Sequence, residues 1–316
     1  MRKELLVNII VPVYNSADYI LRCINSCLNQ IYPYIKIIIV DDGSTDNSWN
    51  LINKYKNNPN IKLIHQENNG VSSARNKGIM ECNDDSYIVF VDSDDYISNT
   101  YIQELVDGVS LRNFDFCCFS FIENNNLSFD DIIYFFMKKK ICCFGPAYKI
   151  YKANICKQIM FNEQLLVGED ILFNVEYILK CKNIHLIHAI KAKYYYSTNY
   201  SSLTHSSNLL HMLSKLKSLL SSYICLLYTL GENHRSTNAF FEYFARFYLN
   251  TYGLFSRKDL IKFQMYSEIK KYTTRKYIKT YCPNDKKTIF LKRLYLFGRF
   301  ILYLKRRCMK NHLFSV

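Results

Sequence analysis

Three carboxylates, Asp92, Asp94 and Asp95, fall within four positions directly behind the apolar run 87–91. Carboxylates held that close raise one another's pKa unless a cation shares the site. Their hard oxygens suit Mg2+ or Mn2+, ions that keep positions for water and substrate phosphates. The one-residue gap between Asp92 and Asp94 lets two carboxylates at a turn address one ion. The plainer alternative makes Asp95 the cap of a helix beginning near Ser98 and leaves the others as solvated loop residues. A second acidic pair, Glu169-Asp170, opens the stretch "GEDILFN" at 168–174. Ile171, Leu172, Val175, Ile178 and Leu179 recur behind it at helical spacing, so both carboxylates belong to the first turn of an amphipathic helix. The helix dipole favours acidic residues there in any case.

These groups need elements to position them. Apolar runs at 7–13, 35–40, 61–64 and 87–91 predict strands buried on both faces. Helices are expected near 17–29, 45–57 and 71–82, capped by Ser16, by Ser44 or Thr45, and by Ser72. That alternation describes a largely parallel sheet covered by helices, which binds ligands at the carboxyl ends of its strands. The loops after strands one, two and four bring Tyr14-Asn15, Asp41-Asp42-Gly43-Ser44 and the acidic run to that edge. Further on, the pattern predicts a helix near 98–111, a strand at 114–121, a helix near 169–181 and a short strand around 192–197. Beyond Ser206 it reads helical, so a boundary near 205 divides residues 1–205 from 206–316.

Five stretches stand in order along the chain: "VPVYN" at 11–15, "VDDGSTD" at 40–46, "NNGVSSARNKGI" at 68–79, "FVDSDD" at 90–95 and "GEDILFN" at 168–174. In order and spacing they resemble the family-2 glycosyltransferases, over about residues 5–205. The resemblance implies an α/β GT-A fold with a Rossmann-like mixed sheet, followed here by a C-terminal α-helical region. It also implies an inverting, metal-dependent enzyme that moves one sugar from a nucleotide-sugar donor, a UDP-sugar, to a glycan or lipid-linked acceptor in cell-surface polysaccharide synthesis. On that basis Pro12, Tyr14, Asn15, Asp41 and Asp42 belong to the nucleotide site, with Tyr14 against the base and Asp41 accepting the uracil N3–H. Arg75, Asn76, Asp92 and Ser93 extend the donor site. Asp94 becomes the direct ligand of Mn2+ or Mg2+, assisted by Asp92, with His205 as a further candidate. Asp170 becomes the general base and Glu169 its support. No Gln-x-x-Arg-Trp motif follows the Glu-Asp pair, and the chain's one Trp is Trp49, so the resemblance is to non-processive members.

Composition narrows the class further. With 49% hydrophobic and 22% charged residues, the 316-residue chain is globular. Its net charge of +14 sits entirely in residues 257–316, which hold 17 Lys and Arg against 3 Asp and Glu. Within them, "KKTIFLKRLYLFGRFILYLKRR" at 286–307 interleaves cations with aliphatic and aromatic residues. Such a segment suits a helix lying on an anionic membrane surface, or one packed on the catalytic domain with a solvated basic face. No nucleic-acid module accompanies it. No apolar run spans a membrane, no signal-peptide pattern opens the sequence, and the twelve cysteines form no C-x-x-C pair. Reduced core thiols are expected, in a cytoplasmic protein associated peripherally with the inner membrane. Two competing readings, a haloacid dehalogenase-like phosphatase and a non-catalytic membrane-associated scaffold, account for fewer of the motifs.

Overall fold

The computed structural model describes residues 4–110, 114–120, 127–138, 141, 145, 147–187, 193–197, 209–231, 234–237 and 239–240. The chain divides into two compact units, 1–205 and 206–316. In the second, the described residues centre on one helix, Leu209–Leu230.

The first unit is built on a mixed sheet of seven strands. Four parallel strands come first in the chain: β1 (Val7–Val13), β2 (Ile35–Asp42), β3 (Ile61–Gln66) and β4 (Tyr87–Phe90). β1 pairs in parallel with both β2 and β4, and β2 with β3. A two-residue strand, β5 (Tyr96–Ile97), leaves this sheet to pair with β9 (Tyr194–Tyr195). β6 (Phe116–Phe119), β7 (Lys149–Lys152) and β8 (Ile184–Ile187) complete the large sheet in the order β3-β2-β1-β4-β7-β6-β8, with β7 antiparallel to both its neighbours.

The helices form two layers, as uninterrupted apolar strands require. Alternate β1 residues Val7, Ile9, Val11 and Val13 share one core with α1 (Ile20–Leu28), α2 (Ser48–Asn53) and α4 (Tyr101–Ser110). α3 (Val71–Met80) packs on β1 and β2 from the other side. There Gly78 lies so close to Ile10 that a Cβ would come within 2.5 Å of its Cγ2. α5 (Phe129–Met137), α6 (Ala153–Ile159) and α7 (Glu169–Lys180) complete the described helices of this unit. Tyr151, Phe161, Phe173 and Tyr177 form a buried aromatic cluster around Phe90 and Phe116, with Phe161 and Phe173 stacked 3.9 Å apart. The eight described cysteines form no disulfide with one another, and seven of them are buried.

Three capping expectations are corrected. α1, α2 and α3 begin after Tyr19, Asn47 and Gly70, and none of these takes a side-chain cap. Ser16 and Ser44 instead brace loops, and the Ser72 hydroxyl is buried without a hydrogen-bond partner. Asp95 does not cap α4, which starts at Tyr101. Its Oδ1 accepts the Ser197 N–H at 2.8 Å, which holds the residues just after β9 against the acidic loop.

At the end of β2 the chain turns at Gly43, whose φ of +68° is left-handed and whose missing Cβ would meet the Asn68 backbone nitrogen at 2.7 Å. Gly43→Ala is expected to cost about 1–2 kcal/mol in backbone strain and a further ~1–3 kcal/mol in forced displacement. Thermal unfolding should register this as a transition lowered by roughly 4–15 °C.

Candidate active site

The carboxyl ends of β1, β2 and β4 and the start of α7 bring the chemistry together. The first two loops are braced by side chains acting on backbone. Asn15, itself left-handed with φ +49°, accepts the Thr45 N–H at 2.8 Å through Oδ1 and donates its own N–H to Ser44 Oγ at 3.0 Å. Asp46 Oδ2 accepts the Ala17 N–H at 3.0 Å, and Ser16 donates its N–H to Ser48 Oγ at 2.8 Å. The Ser16 and Ser93 hydroxyls lie 2.6 Å apart, which links the loop after β1 to the acidic loop. Tyr14 stands 48% exposed at this edge, whereas Pro12 is a buried strand residue in register with Val40.

Asp41 and Asp42 are both buried but differently employed. Asp42 accepts from the Gln66 side chain at 2.8 Å and from the N–H groups of Asn69 and Gly70 at 2.9 and 2.8 Å, so both its oxygens hold the loop that leads into α3. Asp41 Oδ2 accepts from His65 Nδ1 at 2.7 Å, in direct register across β2 and β3. His65 in turn packs on Trp49, ring centroids 4.8 Å apart. Asp41 Oδ1 is buried with no hydrogen-bond partner. An acceptor left in that condition carries an appreciable desolvation cost, which a ligand N–H relieves.

Arg75 joins the two acidic groups. Its guanidinium, 4% exposed, donates to Asp92 Oδ1 at 3.0 Å and to Asp170 Oδ1 at 2.8 Å, and lies 3.5 Å from Glu169 Oε1. Phe161 sits under it at 5.2 Å. Burial works against the Arg75 charge, but Asp170, Asp92 and Glu169 outweigh it and raise the pKa. Burial pushes Glu169 up to about 8, with the Asp170 charge adding to the effect. Asp170 is also raised by burial, with Arg75 opposing. Both carboxylates owe their position to Gly168, whose φ of +91° turns the chain into α7. Asn76, the neighbour of Arg75, exchanges hydrogen bonds with the Phe161 backbone at 2.7 and 2.9 Å and bonds Glu163 at 2.8 Å, fixing the approach to that helix.

The acidic loop itself is held from the side of β5 and β9. Tyr194 OH accepts the Asp92 N–H at 3.0 Å, and Arg22, over the Tyr96 ring at 4.4 Å, donates to the Asp94 carbonyl at 3.1 Å. Asp95 is buried, which pushes its carboxyl up to about 7. Asp92 and Asp94 are only partly buried, and their oxygens suit Mg2+ or Mn2+ held by one or two carboxylates together with substrate phosphates. Among the described residues, no three His, Cys, Asp or Glu side chains gather as a metal centre. His205 lies outside the described residues. His65 and Asn76's partner Glu163 were not singled out from sequence, although His65 is readable as the β3 residue opposite Asp41.

The mixed α/β sheet, with its polar loops gathered at one edge, is similar to the GT-A fold of the crystal structure of S. aureus TarS 1-349 in complex with UDP-GlcNAc. Its TM-score is 0.61 at 24% identity, with 87% of this chain and 79% of that one covered. The Glycosyl transferase family 2 profile matches residues 8–159, so that part of the chain is similar to this family. Glycosyltransferase GlyA of Streptococcus pneumoniae is 32% identical over 204 residues, 57% of this chain and 29% of that protein. The chain spans between 29% and 37% of the length of three such bacterial relatives. Cholesterol galactosyltransferase of Borreliella burgdorferi is 26% identical over 277 residues, 77% of this chain and 73% of that protein.

Removing the Arg75 charge takes away the cation that directly contacts Asp92, Glu169 and Asp170. Arg75→Met is expected to destabilise the domain by about 3–5 kcal/mol, read as a lowered midpoint in denaturant unfolding at pH 8.

Proposed function

We propose that the chain is an inverting glycosyltransferase that moves one sugar from a UDP-sugar to a glycan or lipid-linked acceptor, using Mn2+ or Mg2+, in the synthesis of a cell-surface polysaccharide. The observation that carries this reading is the reach of Arg75, which places the acidic loop and Asp170 around one guanidinium. A leaving group and an acceptor can therefore meet at one sugar carbon.

The unpartnered Asp41 Oδ1 supports a nucleobase that offers an N–H, as uracil does at N3, with exposed Tyr14 beside it. Asp92 and Asp94 would hold the divalent ion, which when bound would supply positive charge to the departing diphosphate. Asp170 takes the proton of the acceptor hydroxyl as the oxygen attacks the anomeric carbon from the face opposite the leaving group, inverting the configuration. Its raised pKa brings it nearer to that of the acceptor proton, which suits a general base. Glu169, protonated up to about pH 8, adds no second full negative charge beside it.

The basic segment 286–307 lies outside the described residues; its cations and aromatics support peripheral attachment to the cytoplasmic face of the membrane. No described helix is long and apolar enough to cross a membrane.

A panel of nucleotide sugars with Mn2+ tests the activity, with Asp94→Ala as the blank. Asp170→Asn is expected to lower turnover by about 10²- to 10⁴-fold while UDP binding persists; turnover at the native rate in that variant removes Asp170 from the role. Because a base must be ionised and this one is raised, the native rate should fall on the acid side at a pH above roughly 4, the ordinary aspartate value. Deleting residues 286–316 should release the protein from anionic vesicles in a flotation assay.

A further inference from the structure

Lys149 is fully buried, close to Asp170, and has no part in the reaction as described so far. From β7 its ammonium reaches back to the carbonyl of Gly145 and, at 3.2 Å, to that of Ala147, and Phe136 lies 5.7 Å away. A buried ammonium held by main-chain carbonyls fixes the path of the chain it grips. That chain runs past the base: a Cβ placed on Gly145 would meet Asp170 Oδ2 at 3.8 Å and no other described atom within 4 Å. Oδ1 of the same carboxylate is already taken by Arg75. Gly145 thus stands beside the second oxygen, and Lys149 holds it there.

We propose that Lys149 is a positioning residue for the base. By holding Gly145 it sets how closely the main chain stands to Asp170 Oδ2 and so directs that oxygen toward the acceptor hydroxyl. This rests on the transferase reading above. The charged groups around Asp170 are Arg75 from α3, Asp92 from the acidic loop, Glu169 from its own helix and Lys149 from β7. The Lys149 cation favours the ionised base, as Arg75 does.

The test uses the full chain with Mn2+ and a panel of UDP-glucose, UDP-galactose and UDP-GlcNAc, with water as acceptor. Water adds to the anomeric carbon, its proton passes to Asp170, and the bond to the diphosphate breaks. Lys149→Met should lower hydrolysis near neutral pH by about tenfold and move the acid limb of the rate profile upward by roughly one unit. UDP affinity should stay at the native value, and Lys149→Arg should restore most of the rate. Gly145 has no left-handed φ, so Gly145→Ala and Gly145→Val place side-chain atoms against Asp170 Oδ2 without backbone strain. Each should slow hydrolysis, Val more than Ala, with the unfolding temperature of the Ala variant unchanged. Should Lys149→Met not fold, Lys149→Arg and the Gly145 pair decide. Native hydrolysis with an unshifted profile in Lys149→Met, or with full activity in Gly145→Val, overturns the role of Lys149 alone. A native chain that hydrolyses no sugar in the panel overturns the transferase reading and this proposal together.

Discussion

The candidate site depends on one buried cation. Asp92, Glu169 and Asp170 come from two distant parts of the chain, and bringing three carboxylates together in a partly buried place is unfavourable unless their charge is balanced. Arg75 balances it with a planar guanidinium able to address two carboxylates at once. Its own burial is supported by Phe161 beneath it and by the packing of α3 on β1 and β2. A lysine at this position could supply charge but not the two-sided geometry.

Around that centre the loops are fixed mainly by side chains acting on backbone. Asn15, Ser44, Asp46 and Ser48 cross-link the loops after β1 and β2, the Ser16 and Ser93 hydroxyls add the acidic loop, and Asp42 secures the entry to α3. Two residues that the sequence assigned to the donor site also hold the surrounding loops. Asp42 and Asn76 have their polar atoms engaged within the protein, whereas Asp41 keeps one oxygen in reserve. The site is therefore largely preorganised before any ligand arrives.

Much of the fold was legible in the sequence because buried parallel strands leave unbroken apolar runs. β1 matches its expected span, and β2, β3 and β4 lie within a residue or two of theirs. Prediction failed where signals are short or shared. β7 and α6 are contiguous, so "KIYKANICKQI" gives no turn to separate a strand from a helix. α5 carries a complete capping box at Ser128 and Asp131, a signal the reading passed over. The helix caps went astray because polar residues before a helix can serve a neighbouring loop as readily as the helix itself. At the site, nothing local in the sequence pointed from Arg75 to Asp170, a partner 95 positions away. His65 was missed for the same reason: its meaning comes from the register of β2 with β3.

The cysteines of the core carry a consequence of another kind. A thiol reacts with oxidants and electrophiles as its thiolate, and burial in apolar surroundings suppresses that form. Cys23, Cys117, Cys156 and Cys181 are all pushed upward by burial or by neighbouring groups, and each is shielded from solvent. The described buried thiols of this domain behave as small polarisable packing atoms, and in the folded state they are expected to resist alkylating reagents that attack a surface thiol.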